Sequence, residues 1–424
     1  MNRWQCGAIT CRMSHETLDN VIIVGAGPAG LALARSLADA PVRVTVLEYQ
    51  PEATIADPRP DGREIALTLR SQGILSDLGV WPLIPQEEIH PLRGARVRDG
   101  GSSFAMAIDP TGQDGGQLGN LVPNHAIRRA LYQSVSGQER LDLRTEQRVI
   151  GAAVTEGGAE VRLASGEILR GAMVVAADSR FSAVRGMLGI GARIHKTQRT
   201  MICMRVRHSG DPLGGKALEW FDRGRTVALL PLGPGLTSFV LTLPDAKAAD
   251  FLAWPEACRE SYARAILAGE LGDIEAVEQP FAYPLTMTFS ERFVRPRAAL
   301  VGDAAVGMHP VTAHGFNFGL AGAWELGRVL RGGMPRYARL VRYAIERQMA
   351  TLPLYEATRH LVGLYTDDTP FARPVRKAVL RLGASKPVSG ALALLLSGNR
   401  RLGIPARSAG LPSLPPGPLS RSSG

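Results

Sequence analysis

At 424 residues, 45% hydrophobic and 21% charged, the chain is long and apolar enough for two domains or one large α/β unit with an insertion, and it reads as globular. The formal charge of +10 would suit an anionic partner, yet 44 of the 49 basic residues are Arg, a skew that GC-rich coding explains equally well. No Lys/Arg run carries interleaved aromatics, which argues against nucleic acid. Cys6, Cys11, Cys203 and Cys258 are too few and too scattered for a disulfide scaffold or a zinc site.

Residues 1–19 form an irregular extension without the apolar core of a signal peptide, and Met13 offers a second possible start. From residue 20 the pattern is strand, glycine turn, helix, strand, in "VIIVGAGPAGLALARSLADAPVRVTVLEY". Gly25, Gly27 and Gly30 occupy the G-x-G-x-x-G positions, with Ala29 in the same turn. The first glycine allows a tight turn, the second admits a pyrophosphate against the backbone, and the third lets helix and strand pack closely. The helix N-terminus offers free N–H groups to the phosphates. Glu48, at the end of the second strand, is placed to bind a ribose diol; an acid there without a neighbouring Arg favours FAD or NAD over NADP.

A loop at 51–63 leads into "REIALTLRSQGILSDLGVW", a short strand and a helix. A Gly-rich loop at 99–119 precedes the helix "NHAIRRALYQSV". The stretch from Arg140 to Asp178 alternates apolar and polar residues between turn glycines and predicts a small antiparallel meander ending in an apolar strand. Residues 193–290 are strand-rich with one helix near 248–270, an inserted sheet domain. Within it 226–244 is uncharged after Arg225, but Pro231, Gly233, Pro234 and Gly235 make it a buried hairpin rather than a membrane span.

FAD or NAD is decided further along. "AALVGDAA" is an apolar strand with Asp303 at its end, where α/β folds bind ligands. Residues 315–330 read as a helix with Phe316, Leu320, Ala323, Gly327 and Leu330 on one face and a glycine at its start. Such a helix N-terminus can approach a flat ring and stabilise the negative charge of a reduced flavin, while Asp303 holds the ribityl hydroxyls. NAD has no part that needs this second grip. His309 and His314 lack a carboxylate or cysteine at ligand spacing, so no metal is expected. His309 reads as a loop-shaping residue, and His314 as the candidate polar group beside the ring.

These motifs resemble the group A flavin monooxygenases, and specifically the ubiquinone-biosynthesis hydroxylase family, over roughly residues 20–330. The second motif of that family, usually containing Asp-Gly, is here "VVAADSRFSAVRGMLGI"; it keeps Asp178, Ser182 and Arg185 but has Ser179 in place of the glycine, which weakens the carry-over of a nicotinamide-binding role. The third runs from Gly302 and Asp303 through Pro310, Gly315 and Asn317. "AADSRFS" and "GMHPVTAHGFNFGL" are most similar to the branch that hydroxylates demethoxyubiquinol at position 5. The resemblance implies Arg63 at the FAD phosphates and Arg128 bracing the cofactor from its helix.

The implied fold is α/β: a Rossmann-like FAD-binding domain of the group A flavoprotein hydroxylase type, an inserted β-sheet substrate domain and C-terminal helices. The expected division is an extension (1–19), FAD-binding domain (20–192), substrate sheet (193–290), FAD-binding domain again (291–335), helical region (336–403) and disordered tail (404–424). The implied reaction uses FAD, NAD(P)H as a transient reductant and O₂ to hydroxylate a polyprenylated phenol or quinol in a dry pocket. Apolar "VALLPL" would suit the prenyl chain. Helices after 340, basic and apolar, would suit either the core or a membrane face, so a cytoplasmic protein touching the inner face of the membrane, or a biosynthetic assembly, is expected. Three alternatives share the scaffold: a prenyl-chain reductase, a natural-product tailoring monooxygenase and a non-catalytic FAD-binding subunit.

Overall fold

The computed structural model describes residues 20–366 apart from 101–103, 111–115 and 223, together with 378–379, 381–382, 384, 389–390 and 393. The expectations for 1–19 and 404–424, for Cys6 and Cys11, and for most of 367–403 lie outside the described residues.

The first strand, Asn20–Val24, is buried from Val21 onward because it is covered on both sides, as an interior parallel strand must be. It pairs in parallel with Arg43–Leu47 and with Met173–Ala176, in a six-stranded sheet ordered Val294–Arg295, Ala298–Leu300, Met173–Ala176, Asn20–Val24, Arg43–Leu47, Leu141–Arg144. The strands carrying Gly25 and Asp303 just past their ends are thus separated only by Met173–Ala176. The meander predicted from alternation divides. Leu141–Arg144 joins the main sheet in parallel, while Val149–Thr155, Gly158–Leu163 and Ile168–Gly171 make a separate antiparallel sheet. Alternation gives a strand its period but not its partner.

The sheet expected to take substrate has nine strands. Its order is Val306–Gly307, Phe281–Ser290, Ala192–His208, Leu236–Pro244, Arg225–Pro231, Lys216–Asp222, Gly94–Asp99 and Ala105–Ile108, with Ile274–Val277 added to Ala192–His208. It therefore reaches beyond 193–290. The stretch read as a loop at 99–119 holds the strand Ala105–Ile108, and Gly94–Asp99 pairs in parallel with Lys216–Asp222. The hairpin expected at 226–244 forms, from Arg225–Pro231 and Leu236–Pro244. The single helix expected near 248–270 is two, Asp245–Ala253 and Glu256–Leu267. Pro255 forces Trp254 into extended backbone (φ −63°, ψ 150°) and caps the second helix.

Pleating sorts this sheet into two faces. Ile202, Met204, Val206, Leu218, Trp220, Val227, Leu229, Phe239 and Leu241 form a core with Ala248, Phe251, Ala263 and Leu267 of the two helices. Complete burial of one such large side chain is worth about 1.5–3 kcal/mol. The stretch "VALLPL", expected to suit the prenyl chain, divides between the two faces. Val227 and Leu229 belong to that outer core, and only Ala228 and Leu230 turn to the inner face.

The helix Gly315–Leu330 forms as read and lies against the helix Pro28–Ser36. Their contact needs small residues: a Cβ on Gly327 would sit 1.8 Å from Ser36 Oγ. A 30-residue helix, Tyr337–Thr366, then packs on the core. Tyr355 is fully buried 5.1 Å from Phe289, and Arg347 donates to Phe318 O at 3.0 Å. Among the described residues no helix is long and apolar enough to cross a membrane.

Candidate functional site

The glycine loop divides its labour by sterics. Gly25 has φ 110°, and a Cβ there would lie 2.5 Å from Ala177 O; one on Gly30 would lie 1.9 Å from Gly25 O. At Gly27 a Cβ would meet nothing within 4 Å. The loop is therefore closed at its first and third glycines and open at the second. Gly27 also caps the helix Pro28–Ser36 with no side-chain hydrogen bond and Pro28 at N1, so among the described residues no side chain caps the first-turn N–H groups. Glu48 is fixed beside this opening: its Oε2 accepts from Ala26 N–H at 2.7 Å and its Oε1 from Gln50 N–H at 2.8 Å.

Arg128, half-buried on the helix Asn124–Val135, makes no hydrogen bond or ion pair with a described residue. Burial lowers its pKa, with Asp61 and Glu48 opposing that shift. It is a desolvated cation within reach of Glu48, suited to an anionic ligand. Arg63, the expected phosphate ligand, is held by its neighbours. Its guanidinium is paired with Asp61 at 2.6 Å and lies 4.9 Å from the Tyr283 ring centroid. Tyr283 in turn donates to Asp61 O at 2.6 Å, so this group ties the loop to the substrate sheet.

The second grip meets the first directly. Gly302 has φ 60°, its Cβ position lies 2.7 Å from Ala29 Cβ, and that of Gly319 lies 3.2 Å from Gly302 Cα. Asp303 is paired with Arg180 at 2.8 Å, and Arg180 also donates to Thr286 O at 3.1 Å. Sequence reasoning passed over Arg180; its place in "DSRFS", between Asp178 and Ser182, was the available signal. The motif around it is bound to the Gly-Asp turn. Ser182 donates to Asp178 at 2.5 Å and caps Ala183–Met187, and buried Arg185 donates to Ala304 O at 2.9 Å. Asp178 thus faces its own turn. Where the family has glycine, Ser179 Oγ accepts from Phe181 N–H at 3.2 Å and supports the bend by its side chain.

Past Asp303, buried His309 caps the short turn Pro310–Thr312 through Nδ1, which accepts from Val311 N–H at 3.3 Å. Burial first, then Arg199, Arg180 and His195, push its pKa down to about 4, so the ring is neutral and able to accept. Ala313 sits at φ 53°, a left-handed strain beside the expected ring site. His314 is buried with its ring centroid 5.5 Å from that of Phe318. Gly315 opens its helix with room around it, the nearest neighbour of a Cβ being Met308 Cβ at 3.8 Å. Asn317 stitches rather than reaches outward. Its Oδ1 accepts from Thr68 N–H at 3.0 Å, and its Nδ2 donates to Ala66 O and Ala313 O. No three His, Cys, Asp or Glu gather as a metal site among the described residues.

The inner side of the sheet meets the FAD-binding body at Gly62 and Val311, and on it Val97, Glu219, Ala228, Leu230 and Val240 are half-buried, whereas Leu218, Trp220, Val227, Leu229 and Phe239 of the outer core are buried. Glu219 is a second residue the sequence reading missed. Its strand, "KALEWFD", has apolar residues on both faces, so alternation is blurred; the acid within a strand was the one signal.

Two adjoining strand-end turns, an open second glycine, two uncapped helix starts and an arginine unpaired among the described residues define a dinucleotide-type flavoprotein with a separate nine-stranded sheet. The chain matches the FAD binding domain family over residues 19–354 and belongs to it, among the flavin-dependent ubiquinone hydroxylases. It is 39% identical to ubiquinone hydroxylase UbiM of Neisseria meningitidis serogroup C, over 87% of this chain and 82% of that one. It is 31% identical to the 3-demethoxyubiquinol 3-hydroxylase of Escherichia coli K12, over 70% and 76% respectively. The anhydrotetracycline hydroxylase OxyS of Streptomyces rimosus shares the fold, with a TM-score of 0.69 and 23% identity over 92% of this chain and 78% of that one. The protein is a FAD-dependent monooxygenase.

Proposed function

We propose that this chain hydroxylates the ring of a polyprenylated phenol or quinol in ubiquinone biosynthesis, with demethoxyubiquinol at position 5 as the preferred substrate. The observation that carries this is the largely apolar, half-buried inner face of the sheet, which borders the Pro310 turn through Val311. Bound FAD, reduced by NAD(P)H, supplies the oxygen-activating chemistry. The backbone at Gly25, Gly27, Ala29 and Gly30 holds the pyrophosphate, Glu48 the ribose diol and Arg128 a phosphate. Arg63 and Asp178 act behind them by fixing their loops. Asp303 holds the ribityl hydroxyls, Pro310 and the N–H of Gly315 border the ring, Asn317 locks that border, and His314 stands beside it. The names of the two relatives, a ubiquinone hydroxylase and a demethoxyubiquinol hydroxylase, support the substrate class.

Isotope labelling tests the reaction. With ¹⁸O₂ the hydroxylated prenyl-phenol should gain one labelled oxygen, and with H₂¹⁸O none. Label from water would make the chain a hydratase or hydrolase, and a reduced double bond without added oxygen would make it a prenyl-chain reductase. Stoichiometric FAD with no NAD(P)H oxidation under any quinol precursor would leave a non-catalytic subunit. Transfer of oxygen to an unprenylated natural product alone would favour the tailoring reading.

Peripheral membrane contact belongs to the same proposal. Ile345, Met349 and Leu352, spaced i, i+4, i+7 on Tyr337–Thr366, are 50%, 72% and 36% exposed, and the net charge of +10 suits anionic lipid. Flotation with phosphatidylglycerol vesicles should carry wild type upward, and Met349→Glu should lower the bound share about threefold. Equal flotation would remove this face from the proposal.

A further inference from the structure

One row of residues crosses the substrate sheet: Val97, Glu219, Ala228, Val240, Cys203 and Phe281, each the Cα partner of the next. Pleating puts the row on a single face. Both ends of that face are fixed against the FAD-binding body. At one end Cys203 and Phe281 close on Gly62, where a Cβ would lie 3.3 Å from Cys203 Cβ and 2.6 Å from Phe281 Cδ2. At the other, Phe221, one pleat beyond Glu219, packs in the cluster that Val311 of the Pro310 turn joins. Glu219 therefore lies on the stretch of sheet between the Gly62 contact and the Val311 cluster, which Val97, Leu361 and Ala384 also join.

Its surroundings give it no partner. Beside it in the row stand Val97 and Ala228, and Glu219 makes no hydrogen bond or ion pair with a described residue. The two arginines on the adjoining strand, Arg96 and Arg98, stand opposite Leu218 and Trp220 on the other face, and Arg98 lies 5.0 Å from the Trp220 ring centroid, paired with Glu270. Burial alone pushes the Glu219 carboxyl up to about 8, yet part of its surface remains open, as for a side chain lining a hollow between two layers. A carboxyl among apolar neighbours with no partner is a cost to the fold unless water or a ligand completes it.

We propose that Glu219 is the polar contact for a ring hydroxyl of the substrate, with Val97, Ala228 and Val240 forming the apolar wall on which the ring and its prenyl tail lie. At neutral pH the protonated carboxyl can both donate to the ring oxygen and accept from its O–H. The carboxyl orients the ring on a face that otherwise offers no direction. This rests on the phenol or quinol reading above.

The test titrates oxidised, FAD-loaded enzyme with a mono-isoprenyl methoxyphenol and with its O-methyl ether, following the flavin spectrum. Wild type should bind the phenol about tenfold more tightly than the ether, the size of one buried hydrogen bond. Glu219→Gln, which still donates and accepts, should keep most of that preference. Glu219→Leu should bind both alike, with full FAD content and an unchanged or raised melting temperature. A Glu219→Leu enzyme that still prefers the phenol tenfold overturns the inference. So does a wild type that hydroxylates the phenol yet binds phenol and ether equally. A wild type that binds neither probe overturns the substrate reading and this inference with it.

Discussion

Gly30→Ala should yield no yellow, soluble protein, whereas Gly27→Ala should fold normally and bind FAD poorly. The two glycines stand three residues apart in one loop, but their surroundings are opposite. A methyl on Gly30 would be driven to 1.9 Å from the backbone carbonyl oxygen of Gly25, with no rotamer to relieve it. Relief requires moving the helix Pro28–Ser36 off the first strand, whose contacts are fully buried, at about 3 kcal/mol or more. At Gly27 the methyl meets no protein atom within 4 Å, so stability should hold. The space it enters is the approach to the uncapped helix start, so the FAD dissociation constant should rise about tenfold or more. Soluble yield, melting temperature of the apoprotein and flavin titration separate the two. Normal FAD binding by Gly27→Ala would show that the open glycine is not where the pyrophosphate lies.

Asp303→Ala should strip most of the FAD while leaving the apoprotein nearly as stable as wild type. The partner of Asp303 is Arg180, and the side chains are 38% and 30% exposed, so solvent screens the pair and its loss should cost under about 1 kcal/mol. The loss to FAD is larger. A charge-assisted hydrogen bond to a ribityl hydroxyl is worth about 1.5–3 kcal/mol, a rise in dissociation constant from about tenfold to over a hundredfold. Asp303→Asn, which still accepts a hydrogen bond but carries no charge, should fall between. Full flavin occupancy of Asp303→Ala at low protein concentration would refute the second grip. A large drop in the apoprotein melting temperature would show that the Arg180 pair is structural instead.

Much of the cofactor side was legible in the chain because its determinants are local. Gly25, Gly27 and Gly30 have a fixed spacing that only a tight turn into a helix explains. The helix Gly315–Leu330 begins and ends where its periodicity says. The 226–244 hairpin follows from its Pro and Gly cluster, since those residues set backbone angles without reference to distant partners. Even Asp303 could be read, as an acid closing an apolar strand.

Roles that depend on partners distant in the chain were decided by the tertiary structure. Gly94–Asp99 becomes a substrate-sheet strand only by pairing with Lys216–Asp222, and nothing in its own six residues specifies that edge. Asp303 acquires Arg180, Arg63 acquires Asp61 and Tyr283, and Asn317 is used up on Thr68, Ala66 and Ala313. Val227 and Ala228 are neighbours in the sequence, yet one lies in the outer core and the other on the inner wall, because the side-chain period of a strand is two and its register is set across the sheet. Glu219 follows the same rule. Its residue type is given by the chain, but which face it occupies, and that no described cation pairs with it there, comes from the pairing of the strands on either side.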